Sequence, residues 1–134
     1  MPDTKPIEIA ATWFRHATNC DTDAVMALAA DEIEVGGARG SGTGRDLLRE
    51  WVDRSRAEMA PTQWFAQDDI VVVEYEATWR NRAGQDMGRR VMIVTFRIAN
   101  GRIAGIYRHD DLAASLTISG LDASNVVEAP TGVA

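Results

Sequence analysis

The stretch that decides the fold is Arg89-Arg90-Val91-Met92-Ile93-Val94-Thr95-Phe96-Arg97-Ile98-Ala99-Asn100-Gly101-Arg102-Ile103-Ala104-Gly105-Ile106-Tyr107-Arg108-His109. Two runs rich in β-branched and aromatic residues flank an Asn-Gly pair. Such a pair supplies two residues that tolerate positive φ, so it reads as a two-residue hairpin between long strands, Arg89–Ala99 and Arg102–His109. Upstream, Ile70–Trp79 has the same character and Thr62–Gln67 a weaker version of it, with Asp68-Asp69 as the turn between them. The second half of the chain therefore reads as an antiparallel meander.

The first 60 residues carry a helical period instead. A helix is expected over 5–19, with Ile9, Trp13, His16 and Cys20 along one face and Ala10, Phe14 and Ala17 beside them. A short helix at 22–30 begins at Asp21 or Thr22, and Ile33-Glu34-Val35 reads as a strand. Residues 36–44 hold five glycines and read as a loop. Thr43-Gly44-Arg45-Asp46 has capping-box spacing and opens a third helix at 44–59, with Leu47, Leu48, Trp51, Val52 and Ser55 inward and Pro61 beyond its end. Asp110 or Asp111 caps a last helix, Leu112–Leu116, and the residues from Ser119 read as a tail that is mobile or packed on a partner. Three helices followed by long antiparallel strands make an α+β plan, in which helices cover one sheet face and a curled sheet leaves a pocket between the layers.

Composition narrows the functions available. The 134 residues fit one domain, with 46% hydrophobic and 25% charged residues and a net charge of −6. An acidic chain is a poor nucleic-acid binder, since phosphate contact needs cationic surface. The longest late uncharged stretch, Leu112 to Leu121, is ten residues, too short to span a bilayer. No membrane association is expected. The N-terminus lacks a basic segment followed by an apolar run, and Cys20 is the single cysteine; a cytoplasmic location is expected. Only Lys5 among the 14 cationic residues is lysine, a bias that reads as genomic base composition. The glycine run lacks the Gly-Lys-Ser/Thr ending of a phosphate loop, and His109-Asp110-Asp111 alternates direction along a strand, so neither a cofactor nor a metal is expected.

The order of these pieces resembles the nuclear transport factor 2-like superfamily, which includes ketosteroid isomerases, SnoaL-like polyketide cyclases and limonene epoxide hydrolases. The resemblance is carried by Asp21-Thr22-Asp23-Ala24-Val25-Met26-Ala27-Leu28 with Asp31-Glu32, by Gly42-Thr43 opening the third helix, and by Asn100-Gly101-Arg102-Ile103 with Asp110-Asp111-Leu112. It covers about residues 7–118. It implies a cone-shaped α+β barrel, with three N-terminal helices packed on a strongly curved antiparallel sheet. It also implies one SnoaL-like, ketosteroid isomerase-like domain over 1–118, with a tail at 119–134.

The superfamily's known catalytic groups do not carry over. Aligned on Asp21, the steroid isomerase base position falls on Gly37, or on Val35 if the loop gap is moved. The tyrosine and second-acid positions of its oxyanion hole become Trp13 and Val94. The last-strand aspartate of the epoxide hydrolases becomes Arg108. The same register directs Trp13, Val73, Tyr75, Ala77, Trp79, Arg90, Met92, Val94, Phe96, Ile106, Arg108 and Asp110 toward the pocket. A few polar groups in an apolar concavity suit a small-molecule site, although aromatic side chains at such positions serve core packing equally well.

The expected function is binding of a small hydrophobic molecule, with isomerase, cyclase or hydrolase activity on it. Asp110 is the candidate base, Arg108 its charge partner and Tyr75 a hydrogen-bond donor. The competing reading makes Arg108 and Asp110 a structural ion pair at the pocket mouth, with Asp110 capping the last helix. Trp13, Val73, Trp79, Arg90, Met92, Val94, Phe96 and Ile106 are the expected substrate-binding set. His109 points to the outer face unless a bulge inverts the register. A homodimer is expected. A non-catalytic dimeric module using the outer sheet face, marked by exposed Val72, Ile93, Tyr107 and His109, is the alternative function.

Overall fold

The chain is described by a computed structural model over residues 6–19, 21–37, 40–55, 57–81, 83–109 and 111–127. Three helices come first: α1 (Pro6–Thr18), α2 (Thr22–Ala27) and α3 (Arg45–Ser55). Only α1 and α3 are long; α2 has six residues, between one and two turns. Strands β1 (Ala29–Gly37) and β2 (Gly40–Thr43) separate α2 from α3. The meander β3 (Glu58–Gln67), β4 (Ile70–Arg80), β5 (Asp86–Ala99) and β6 (Arg102–His109) follows. Then come α4 (Leu112–Ser119), a single 3-10 turn at Ala123–Asn125, and β7 (Val126–Val127).

The seven strands form one sheet in the order β2-β1-β6-β5-β4-β3-β7. The sequence reading expects an antiparallel sheet, and this is corrected at one pairing: β1 runs parallel to β6. The chain enters β1 from the helical layer, so nothing forces a hairpin relation to β6. The expected glycine loop is also partly strand: Glu34 to Gly37 pair with Gly40 to Thr43. The backbone of Gly44, at φ 108, then turns the chain into α3.

Asn100 (φ 53) and Gly101 (φ 75) form the β5–β6 turn with both residues at positive φ, as the Asn-Gly pair predicts. Pro61, expected beyond a helix end, instead lies inside β3 where the pairing with β4 shifts between Pro61 and Gln63. Proline has no N–H for a sheet ladder, and a bulge is where a strand accommodates it. Further shifts occur in the β1–β6, β4–β5 and β5–β6 pairings. Bulges bend strands and increase their twist, which gives the sheet its curve around α1.

The inner face holds the main core, in which Trp13, Phe14, Leu48, Tyr75, Phe96, Ile103 and Ile106 are almost wholly buried. Leu48 and Val52 carry the inner side of α3, while Leu47, expected beside them, is 37% exposed. The side chains of Trp51 and Ser55 lie outside the description, as does Cys20. The outer face carries a second core, where Phe65, Val72 and Ile93 pack with Leu116 and Leu121. Val72 and Ile93 are therefore covered by α4 and the chain after it, which corrects their expected exposure.

Asp111 caps α4 by accepting from the Ala113 N–H at 3.0 Å, and Gly120 at φ 76 ends it. Residues 121–127, read as part of a tail, return to the sheet. Val126 and Val127 pair with Phe65 and Trp64 of β3. Among the described residues no helix is long and apolar enough to cross a membrane.

Candidate functional site

Strand pairing places Tyr75 opposite Met92 on β5 and Val94 opposite Arg108 on β6. Side chains two apart on a strand share a face. Val73, Tyr75, Met92, Val94, Phe96 and Ile106 thus form a continuous inner wall, all in the main core. Phe14 of α1 stands at the centre of its aromatic part. Its ring lies 5.2 Å from Trp13, 5.2 Å from Tyr75, 5.8 Å from Trp64 and 5.8 Å from Phe96, each edge-to-face, the arrangement that ring quadrupoles favour.

The wall is graded. Trp13, Val73, Val94, Phe96 and Ile106 are sealed, so in this structure they serve as packing. Trp79 and Arg108 are half-buried, and Arg90, opposite Ala77, is exposed at the far end of β5. Met92 is buried as well, so the accessible part of the expected site is Arg108, Trp79 and Arg90. Asp110, the candidate base, lies outside the described residues.

Tyr75 is the polar group at the deep end. Only 1% of the residue is exposed, and its O–H donates to Met92 Sδ at 3.9 Å. Burial pushes its phenol up to about 12 from the ordinary 10.0, and the nearby Arg108 guanidinium, by its charge and a hydrogen bond, pulls the other way without prevailing. At neutral pH Tyr75 is thus a neutral hydroxyl beside a cation. That couple can donate to an oxygen that gains negative charge, and it cannot act as a base.

The opposite face carries a polar group with another role. Tyr107 donates to Glu34 Oε1 at 2.8 Å across the β1–β6 pairing. Burial first and the Glu34 hydrogen bond second raise its phenol, with Arg97 opposing. Tyr107 and His109 are half-buried there. On the β4–β5 hairpin, Arg89 contacts Asp86 at 3.1 Å and Glu76 at 3.8 Å. These are exposed pairs of small energetic worth. Arg82, and the side chain of Arg80, lie outside the description.

Sequence reading gave Phe14 only a flanking place and did not identify Trp64 as part of the cluster. The signal for Phe14 was present: Ala10, Phe14 and Ala17 repeat at helical spacing beside Trp13. No local signal marks Trp64, because its face follows from the bulge at Pro61.

This layered arrangement recurs in known proteins. Residues 10–106 match the family model of the SnoaL-like domain, and the chain belongs to that family. Among solved structures it is similar to a nuclear transport factor 2-like protein of unknown function from Burkholderia pseudomallei (TM-score 0.70, 15% identity, covering 85% of this chain and 96% of that one). It is also similar to a Catenulispora acidiphila protein with a ketosteroid isomerase-like fold, solved in complex with trimethylamine (TM-score 0.66, 22% identity, 87% and 95% covered). A third is SalBIII, an epoxide hydrolase/cyclase-like enzyme with a role in pyran ring formation in the polyether salinomycin (TM-score 0.69, 18% identity, 81% and 92% covered). At these identities the likeness is one of fold. No sequence among the curated proteins matches the chain.

Proposed function

We propose that this SnoaL-like chain binds a small hydrophobic molecule between its helical layer and its sheet and acts on it as an isomerase, cyclase or hydrolase. The observation that carries the reading is the Tyr75 hydroxyl, set in an aromatic and aliphatic wall and donating to the Met92 thioether, a weak acceptor. The Arg108 guanidinium completes the couple. Isomerisation, cyclisation and epoxide opening each place charge on an oxygen, and a neutral donor beside a fixed cation stabilises that charge where water is excluded. Asp110 is the base in this reading, two residues beyond Arg108 in sequence. SalBIII, which shares the fold, is an epoxide hydrolase/cyclase-like enzyme, and this supports the reaction class.

Native mass spectrometry of the purified protein is the test, together with titration of hydrophobic ketones, epoxides and polyketide-like enols followed by tryptophan fluorescence. Retention or saturable binding of such a molecule, weakened in Tyr75→Phe, is expected. A protein that carries none and binds none refutes the reading. Full activity of Asp110→Asn on an identified substrate removes Asp110 from the mechanism. The reading also includes a homodimer. The exposed Val91 and Met87 on β5, beyond the cover of α4, favour the outer sheet face for it, and sedimentation of a monomer at high concentration would count against it.

A further inference from the structure

The outer face of the sheet is closed by one segment of the chain. Phe65, Val72 and Ile93 pack with Leu116 of α4 and Leu121 beyond it, and none of residues 112–127 belongs to the main core on the other face. This cover is lightly attached. Leu112 to Leu121 holds no charged residue, so its side chains form no ion pair with the sheet. Further on, β7 pairs with β3 at two positions, Val127 with Trp64 and Val126 with Phe65. Thr95 stands on the same outer face, paired with Val72 of β4 and Tyr107 of β6, and α4 packs on the three strands around it. Thr95 is 4% exposed, and among the described residues its sealed hydroxyl has no hydrogen-bond partner. A hydroxyl buried in that state raises the free energy of the closed form, and contact with water relieves it.

We infer that α4 and the chain from it to β7 form a strap that opens as a unit while the meander and the main core stay folded, and that the buried Thr95 hydroxyl biases it toward opening. Release separates Leu116 and Leu121 from the outer core and undoes the two β7 pairings, but takes no member from the main core. Stability varies across a fold, and segments with few buried apolar contacts open first. Opening hydrates Thr95 and uncovers Phe65, Val72 and Ile93. Ile93 and the exposed Val91 lie two apart on β5 and share a face, so the uncovered residues continue Val91 into one apolar strip. The closed strap keeps that strip from forming. The device belongs to the outer face and is independent of ligand binding on the inner one.

Amide hydrogen exchange and thiol labelling test this. In the unmodified protein the amides of Ser115 and Leu121, which donate to the Asp111 and Leu116 carbonyls, should exchange together and at least about tenfold faster than the amides of β4 and β5. Thr95→Val, which replaces the hydroxyl by a methyl group, should slow strap exchange about fivefold to a hundredfold. Thr95→Ser, which keeps the hydroxyl, should not slow it. With Cys20, the single cysteine, changed to serine, Val72→Cys and Val73→Cys place thiols on opposite faces of β4 at fully buried positions. The thiol of Val72→Cys should react at least about tenfold faster than that of Val73→Cys, because strap opening exposes the first while the second waits for the main core to open. Strap amides as protected as those of β4 and β5, or equal labelling of the two thiols, overturn the strap. Strap exchange left unchanged or quickened by Thr95→Val overturns the part given to the hydroxyl.

Discussion

The ionisation of Tyr75 gives the most direct check on the described geometry. The chain has two tyrosines, so Tyr107→Phe leaves Tyr75 as the single phenol. Burial against Phe14, whose ring centroid is 5.2 Å away, outweighs the opposing Arg108 and holds the phenol at about 12, against 10.0 for a free tyrosine. One pH unit corresponds to about 1.4 kcal/mol, so the full effect is about 2.7 kcal/mol. Below pH 10 both folded and unfolded chains keep the proton, and this tyrosine contributes no pH dependence. Between pH 10 and 12 the unfolded chain loses its proton while the folded one retains it, so stability falls as pH rises. At about pH 11 the loss is about 1.4 kcal/mol relative to pH 9.

Phenolate absorbance and circular dichroism, recorded together in Tyr107→Phe, measure the first quantity. Urea unfolding at a series of pH values measures the second, with the Tyr75→Phe, Tyr107→Phe double variant as baseline. A phenolate that forms near pH 10 while the dichroism stays native would show that Tyr75 is hydrated, and the deep end of the site would then be wrong. Arg108→Met should move the phenol further upward, because the one influence that lowers it is gone.

Phe14→Ala should cost about 3–5 kcal/mol in urea unfolding, since Phe14 is 1% exposed and packs edge-to-face on four rings; a loss under about 1.5 kcal/mol would contradict its central place. Gly105→Ala puts a Cβ at 2.6 Å from the Tyr107 hydroxyl, so Tyr107 must swing from Glu34, with an expected loss of about 1–3 kcal/mol. Glycine-like stability in that variant would mean that the Tyr107 ring does not lie over β6. Asp111→Ala removes the α4 cap at a cost of about 1 kcal/mol. Proteolysis should then open α4 and the β7 segment before the meander, and unchanged stability would exclude that cap.

Local chemistry made much of the meander legible. Asn100-Gly101 marked its turn because both positions need positive φ, and the period-two runs located the strands and their inner faces. Asp21 or Thr22, and Asp110 or Asp111, marked helix starts because a short polar side chain can accept from a first-turn N–H, and the structure makes Asp21 and Asp111 the caps. The parallel β1–β6 pairing left no such trace, since it joins segments some 70 residues apart in sequence. The glycines of 36–44 read as loop because they carry no strand propensity, yet pairing between β1 and β2 gave their backbone groups partners. Leu47 and Leu48 were indistinguishable in sequence, and the seat of α3 on β1 decided which of them is buried.

For the site, sequence alone determined which side chains share the concave face: alternation along a strand is local geometry and needs only the register. By resemblance alone it also placed the positions of the superfamily's known catalytic groups on Gly37 or Val35, Trp13, Val94 and Arg108. Tertiary structure decided what each of those side chains does. Burial depends on what packs above a residue, so only the placement of α1 could turn Trp13, Phe96 and Ile106 into sealed core while leaving Trp79 and Arg108 partly open. Likewise α4 closed the outer face over Val72 and Ile93. The Tyr75–Arg108 couple arises only when three strands are brought side by side. Its character as a neutral donor beside a fixed cation is set by desolvation, a property that no single strand possesses.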